Sequence, residues 1–150
     1  MNKWLWIPLL LGALLWNPAE PRDVGKLIPV ELVQLSRDRD GVTVRTDTGN
    51  SGWGENLEEA MEDLKRKASG EIFLETAEYV LLTGDVLESI PALPGYFRPG
   101  TQVYEAPILE DLEGAAAYLG QNNRESPLFR LQNKNLPRLI RERGGLQFAE

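Results

Sequence analysis

Carboxylates are the side chains through which this chain could do chemistry. Its 150 residues include 23 Asp and Glu, but no Cys and no His. This composition excludes disulfides, thiol nucleophiles, Cys or His metal sites and the Ser-His and Cys-His catalytic pairs. Acid-base catalysis by carboxylates needs two of them in one cleft with separated pKa values. The densest acidic group belongs to the outer, solvated face of a predicted helix: Glu58, Glu59, Glu62 and Asp63. We therefore predict no catalytic residue and no enzyme.

A glycine-rich stretch, Asp47 to Glu55 (DTGNSGWGE), is the second candidate for chemistry. Backbone N–H groups of a glycine loop before a helix can hold a phosphate. This stretch has no Gly-Lys-Ser/Thr ending, and the helix after it begins with Glu55, Glu58 and Glu59, which repel phosphate. We therefore predict an ordinary strand-to-helix connection, with no cofactor and no metal. Trp53 within it is either a lid on the core or an exposed contact, and we take it as a candidate partner contact.

The helix after this stretch is the best-defined element of the sequence. Asn56 is a good N-cap, with Glu59 three residues later as in a capping box, and Gly70 is expected to end the helix. Its apolar stripe comprises Leu57, Ala60, Met61, Leu64 and Ala68. The strand expected next, Tyr79 to Leu82, is apolar throughout, which predicts a central strand covered on both faces.

Further elements are predicted on both sides of this helix and strand. An Asp-Gly turn within Ser36 to Gly41 joins Leu27–Leu35 and Val42–Thr46 as a β-hairpin. Later in the chain we predict a strand at Gln102–Ala106, a helix at Leu109–Leu119 stopped by Gly120, an edge strand at Leu128–Leu131, and a short helix at Leu136–Arg143 capped by Asn135. The predicted fold class is α/β (α+β), a single small domain with a mixed, mostly antiparallel sheet of about four strands and helices packed on it.

Two further groups are candidate partner contacts. Tyr96, Phe97 and Arg98 lie in a proline-rich turn, and an apolar patch exposed there would favour an interaction role. The basic residues near the C-terminus are Arg130, Lys134, Arg138, Arg141 and Arg143. We take Arg138 and Arg141 as contacts for an acidic partner or lipid headgroups. The alternative is a solvated helix end whose charge matches the helix dipole.

Residues 1–16 form a hydrophobic leader. One cation, Lys3, precedes an uncharged run of about 13 residues, which is roughly 20 Å as a helix and short for a bilayer core of about 30 Å. This pattern predicts a signal peptide or a short N-terminal anchor, with a buried first helix as the alternative. Residues 17–26 contain prolines and a glycine and are predicted to be a linker. Residues 27–150 are then the single domain.

Several stretches share a recognisable order of apolar, Gly and Ala positions. They are PRDVGKLIPVELV, the hairpin ending in VTVRT, ENLEEAMEDL (Glu55–Leu64), IFLETAEYVLLTG (Ile72–Gly84), Phe97 with Arg98, QVYEA and GAAAYL (Gly114–Leu119). With the leader before them, they resemble the N-terminal domain of the C subunit of spore germination receptors, the Ger(x)C lipoprotein family. The family's leader ends in a lipid-modified Cys, and this chain has none. The resemblance therefore implies an extracytoplasmic accessory domain without catalysis, attached to the membrane through the leader itself.

Together these observations predict a non-enzymatic, membrane-proximal interaction domain. The leader is expected to contact the membrane surface, and the domain a protein partner. Nucleic acid is not expected as a partner, because the net charge is −7 and phosphate binding needs a basic face. Two alternatives stay open, namely a small hydrolase using carboxylates and a soluble cytosolic regulator whose leader docks on a partner.

Overall fold

The computed structural model describes residues 6–15, 27–131 and 135–149. The predicted linker at 17–26 and Lys134 lie outside these residues. The described strands are β1 (Leu27–Pro29), β2 (Leu32–Asp38), β3 (Gly41–Thr46), β4 (Ser51–Gly54), β5 (Glu71–Phe73), β6 (Tyr79–Leu82), β7 (Gln102–Glu105), β8 (Leu139–Glu142) and β9 (Gly145–Phe148). The helices are α1 (Trp6–Leu15), α2 (Leu57–Lys67) and α3 (Leu112–Asn122), with 3₁₀ segments at Leu74–Thr76, Gly84–Gly95 and Leu128–Arg130.

The central sheet has five strands in the order β4-β3-β2-β6-β7. β2, β3 and β4 pair antiparallel through two hairpins, whereas β2, β6 and β7 pair parallel. Outside this sheet, β1 pairs parallel with β5, and β8 pairs antiparallel with β9. The predicted fold class, a single small α/β domain with a mixed sheet and helices packed on it, is confirmed.

The hairpin of β2 and β3 is confirmed, and its turn is tighter than the predicted polar segment. Arg39 and Asp40 are the two turn residues, with φ values of 49° and 67°, as a two-residue type I′ turn requires. At its other end the predicted first strand is divided into β1 and β2. The N–H groups of Glu31 and Leu32 donate there to Asp47 Oδ1, at 3.1 and 3.3 Å.

Helix α2 covers one face of the sheet. Asn56 Oδ1 accepts the N–H of Glu59 at 2.9 Å, and the Glu59 carboxylate accepts the N–H of Glu55 at 2.9 Å, so the predicted capping is confirmed. The buried side chains of this layer include Val33, Leu35, Val44, Ala60, Met61, Leu64, Val80 and Leu82. The predicted end at Gly70 is wrong. The helix ends at Lys67, and Ala68 is already extended, because the chain runs straight on towards β5 without a left-handed residue.

The glycine-rich stretch contains a strand, and the predicted plain loop is wrong. Gly52 and Gly54 belong to β4 and face α2. A Cβ atom on Gly52 would collide with the Ala60 carbonyl and the Leu64 backbone, and one on Gly54 would collide with the Ala60 nitrogen. Because neither residue has a side chain, the helix backbone lies directly against the strand backbone.

A second layer covers the opposite face of β2, β6 and β7. Its buried side chains include Leu32, Leu81, Tyr104, Leu112, Ala115, Ala116, Leu119 and Leu139. Helix α3 begins at the N-cap Asp111, which accepts the Gly114 N–H at 2.8 Å. The predicted stop at Gly120 is wrong, because α3 continues to Asn122 and Gly120 lies on its exposed side. Burial raises the pKa of Tyr104 to about 12, so its hydroxyl stays a donor to the Arg124 carbonyl.

The C-terminal elements differ from the predicted edge strand and helix. Leu128–Arg130 is a 3₁₀ turn, and the segment predicted as a helix at Leu136–Arg143 instead supplies β8. Gly144 and Gly145 have φ values of 101° and 151° and form the turn to β9. The strands are favoured over the predicted helix because they bury Leu139 completely. They also place the Phe148 ring against Tyr104, with ring centroids 5.2 Å apart.

Both outer strands of the central sheet have outward N–H groups that are already bonded. On β7, Val103 donates to the Ser126 carbonyl at 2.9 Å, and Glu105 donates to the Pro137 carbonyl at 3.0 Å. On β4, the Trp53 N–H donates to Asp63 Oδ2 of α2 at 2.8 Å. Side chains and returning chain segments therefore occupy backbone groups that an edge strand usually exposes.

Replacing Gly52 tests the contact between α2 and β4. We expect Gly52→Ala to lower the free energy of unfolding by about 1–3 kcal/mol, because its Cβ has no room against rigid backbone. Gly120→Ala is the matched control. It stands on an exposed side of α3 with no atom within 4 Å of its Cβ position, so it should raise stability by up to about 1 kcal/mol. Urea denaturation measures both, and equal stability of the Gly52 variant and the unaltered chain would contradict the packing.

Candidate functional site

The acidic face of α2 divides into two kinds of carboxylate. Glu58, Glu59 and Glu62 are exposed, as predicted. Asp63 was predicted to share that solvated face, but its side chain is only 9% exposed. It lies one residue before the buried Leu64, on the border of the apolar stripe, and this position is the sequence feature that could have revealed its role.

Asp63 is held by three donors. Lys67 Nζ lies 2.8 Å away, the Trp53 N–H 2.8 Å and Arg66 2.5 Å. The hydrogen bond to Lys67, then that to Trp53, lowers the pKa of Asp63 from its ordinary value of 3.8 to about 2. The bond from Trp53 joins α2 to β4, and the other two hold cations of α2 itself, so the carboxylate has a structural task.

Trp53 lies on the far side of β4 from α2. It is paired with Thr43 of β3 and is 43% exposed. Its indole Nε1–H donates to the Asp38 carbonyl at 3.1 Å. The ring also rests on Gly41, where a Cβ would lie 2.7 Å from two ring carbons. The ring is thus fixed at its backbone and at its indole nitrogen, while much of its surface stays open to solvent.

The surroundings of Trp53 form a continuous face of the sheet. We call this the Trp53 face, and it consists of the outward side chains of β3 and β4, namely Thr43, Arg45, Ser51 and Trp53, with Ile108 at its border. The buried cluster under α3 draws its sheet residues from β2, β6 and β7. β3 and β4 extend beyond that cluster, and Ser51 and Trp53 are exposed there.

The border of the Trp53 face is set by the segment that leads into α3. Arg45 donates to the Leu109 carbonyl at 2.7 Å and to the Glu110 carbonyl at 3.4 Å. The buried Gln34 donates to the Pro107 carbonyl at 2.7 Å and accepts the Leu109 N–H at 3.1 Å. These bonds hold Ile108 in place with 60% of its surface exposed. Ile108 is thus an exposed aliphatic side chain next to the carbonyl groups that Arg45 binds.

The aromatic residues predicted near Arg98 lie elsewhere. Phe97 is 4% exposed and belongs to the core under α2, so it is not part of a surface patch. Tyr96 is half-buried against the same core, and burial together with Glu58 raises its pKa. Arg98 is exposed. The core under α2 and the Trp53 face are on opposite sides of the sheet, so Tyr96 and Phe97 do not share a contact surface with the Trp53 ring.

The predicted basic cluster is also divided. Arg138 lines a cleft of about 570 Å³ together with Arg130, Glu105 and Glu125. Arg141 lines a separate pocket of about 310 Å³ beside Glu110, Asp111 and Tyr118. Both arginines are exposed on or next to β8 and not on the predicted helix. Within residues 6–15, 27–131 and 135–149, no group of three or more carboxylates is arranged to hold a metal ion.

Comparison with known proteins finds no match among family models, curated proteins or solved structures. The resemblance to the Ger(x)C family therefore stays a prediction.

Removing the Asp63 carboxylate tests its role in holding β4. We expect Asp63→Asn to be less stable than the unaltered chain at neutral pH, because the charge that binds Lys67 is lost. A carboxyl with a lowered pKa stabilises the fold above pH 3.8, and this contribution fades as pH falls towards about 2. The difference between the two proteins in urea midpoint should therefore shrink over that range.

Glu62→Gln is the control for this experiment, since it removes an exposed acid from the neighbouring position of the same helix. Its urea midpoint should stay close to that of the unaltered chain at every pH. A difference for Asp63→Asn that persists unchanged at pH 2 would contradict the role of the charge.

Proposed function

We propose that the chain is a non-enzymatic interaction domain held next to a membrane by its apolar N-terminal segment, with the Trp53 face as its contact surface for a protein partner. The observation that carries this proposal is the fixed and exposed Trp53. Tryptophan is among the residues that dominate binding energy at protein interfaces. A ring that is already held in place loses little conformational entropy on binding.

The exposed part of the ring gives a measure of what a partner could gain. Trp53 leaves 43% of its surface accessible, which is on the order of 100 Å² for a side chain of this size. Covering that area is worth about 2–3 kcal/mol. Ile108 adds a second apolar contact on the same face, and Arg45 adds a polar edge.

Helix α1 supports attachment to a membrane surface. Ile7, Leu10 and Leu11 are 53%, 61% and 53% exposed. Among the described helices, none combines the length and the apolar character that crossing a bilayer requires. A short apolar helix can still bury its side chains at the boundary between headgroups and acyl chains. The resemblance to the Ger(x)C family adds two points to this proposal. The domain is extracytoplasmic, and it acts beside a germination receptor.

Fractionating cells that express the tagged full chain tests the attachment. We expect the chain in the membrane fraction, and we expect Leu10→Asp with Leu11→Asp to reduce the bound share by more than about tenfold, because each buried Leu contributes about 1.5–3 kcal/mol. Phe129→Asp is the control for an added charge, since it places one aspartate at a 63% exposed apolar residue of the domain. Recovery of the unaltered chain entirely in the soluble fraction would refute the attachment.

Co-purification from membranes of the native host tests the partner surface. We expect Trp53→Ala to weaken capture of the partner by about 30-fold or more, as truncation of an interface tryptophan commonly does. Phe129→Ala, at another exposed aromatic residue, should capture it normally. A urea titration must show that both variants are folded. Equal capture by the Trp53 variant and the unaltered chain would rule out the Trp53 face.

A further inference from the structure

Trp53 and the connection from β1 lie at opposite ends of β2. The chain enters the domain at β1, which precedes the first residue of β2, Leu32. Trp53 bonds to Asp38, the last residue of β2. Seven residues of strand span about 23 Å. Trp53 therefore lies at the end of β2 that is farther from β1.

The charges next to Trp53 are mostly negative. Asp38 precedes the turn beside the indole, Asp40 lies in that turn, and Glu55 follows β4 directly. The exposed Glu58 and Glu59 in the first turn of α2 lie on the other side of β4 from the ring and do not add to this group. An aromatic ring among carboxylates is a surface that favours a cation, through Coulomb attraction and through contact with the ring face.

The cations on the same elements do not balance these acids. Arg37 is already bound, since it forms an ion pair with Glu88 and donates to the Asp85 carbonyl at 3.1 Å. Arg45 is bound to two backbone carbonyls at the border of the face. Arg39, in the turn, is the one other cation between β2 and the first turn of α2.

We propose that the Trp53 face binds a basic segment of its protein partner, one whose Lys or Arg side chains lie over the Trp53 ring and between the surrounding carboxylates. This inference rests on the proposed function, because it identifies the chemistry of the partner at that same surface. It also separates two tasks of the molecule. In the proposed function apolar contacts hold the leader, and charge selects what binds at the Trp53 face.

Fluorescence of Trp53 in the full chain tests this inference. The chain has four tryptophans, and replacing Trp4, Trp6 and Trp16 of the leader by Phe leaves Trp53 as the sole indole. A synthetic peptide of Lys and Arg is the probe, and a Glu and Asp peptide of equal length is its control. We expect a saturable change in Trp53 emission with the basic peptide alone. Its apparent Kd should rise several-fold between low salt and 0.5 M salt, because screening weakens exposed charge pairs.

Two charge variants provide a matched comparison. Asp38→Asn, Asp40→Asn and Glu55→Gln together should raise the Kd for the basic peptide by about fivefold. Glu71→Gln, Glu75→Gln and Glu78→Gln remove three exposed acids at the opposite end of the sheet. Both sets change the net charge from −7 to −4, so an effect of overall charge would be equal in both. We expect the second set to bind within about twofold of the parent.

The outcomes separate this inference from the proposed function. Equal weakening by both sets, equal binding of the acidic peptide, or no saturable change with the basic peptide would each overturn the basic partner. So would a change in Trp53 emission caused by anionic lipid vesicles and not by the peptide. If Trp53→Ala still abolishes capture of the native partner in that case, the Trp53 face remains the contact surface and its partner is not basic.

Discussion

The direct contact between the backbones of α2 and β4 is the interaction on which the rest of this structure depends. Gly52 and Gly54 allow it, since any side chain at either position would push the helix away. At that short separation Asp63 can reach the outward N–H of Trp53. The same bond covers the strand edge and fixes the backbone of the exposed tryptophan. The absence of a side chain at Gly52 and at Gly54 therefore determines where the Trp53 ring is held on the other side of the sheet.

A second constraint lies on the opposite face, where Gln34 is fully buried among apolar neighbours. Burying an amide is costly unless its donor and acceptor are both used. Gln34 uses both on the segment from Pro107 to Leu109. The amide thereby fixes the path of the chain between β7 and α3. Moving the segment from Pro107 to Leu109 would leave the buried Gln34 amide without hydrogen-bond partners. This cost holds the border of the Trp53 face in place.

The sequence alone predicts the elements whose determinants are local. The structures of the Asp-Gly turn, the Asn56 cap and the apolar strand β6 are each determined by residues close together in the sequence. The elements that it missed depend on partners distant in sequence. Gly52 and Gly54 are poor strand residues until α2 packs on them, and β8 and β9 depend on packing of Leu139 and Phe148 in the cluster around the distant Tyr104. Of the candidate site, Trp53 was predicted, whereas its bonds to Asp38 and Asp63 were not, because they join separate elements.

The bonded N–H groups on the outer strands of the central sheet affect how readily two copies of the chain pair through their strands. A free strand edge pairs with the edge of another copy, and such pairing increases with local concentration. Here the outward N–H groups of Val103, Glu105 and Trp53 are all bonded within the chain. Backbone pairing at these positions would first require breaking an internal bond. Pairing between copies through these three backbone groups is therefore disfavoured relative to the bonds already made within the chain.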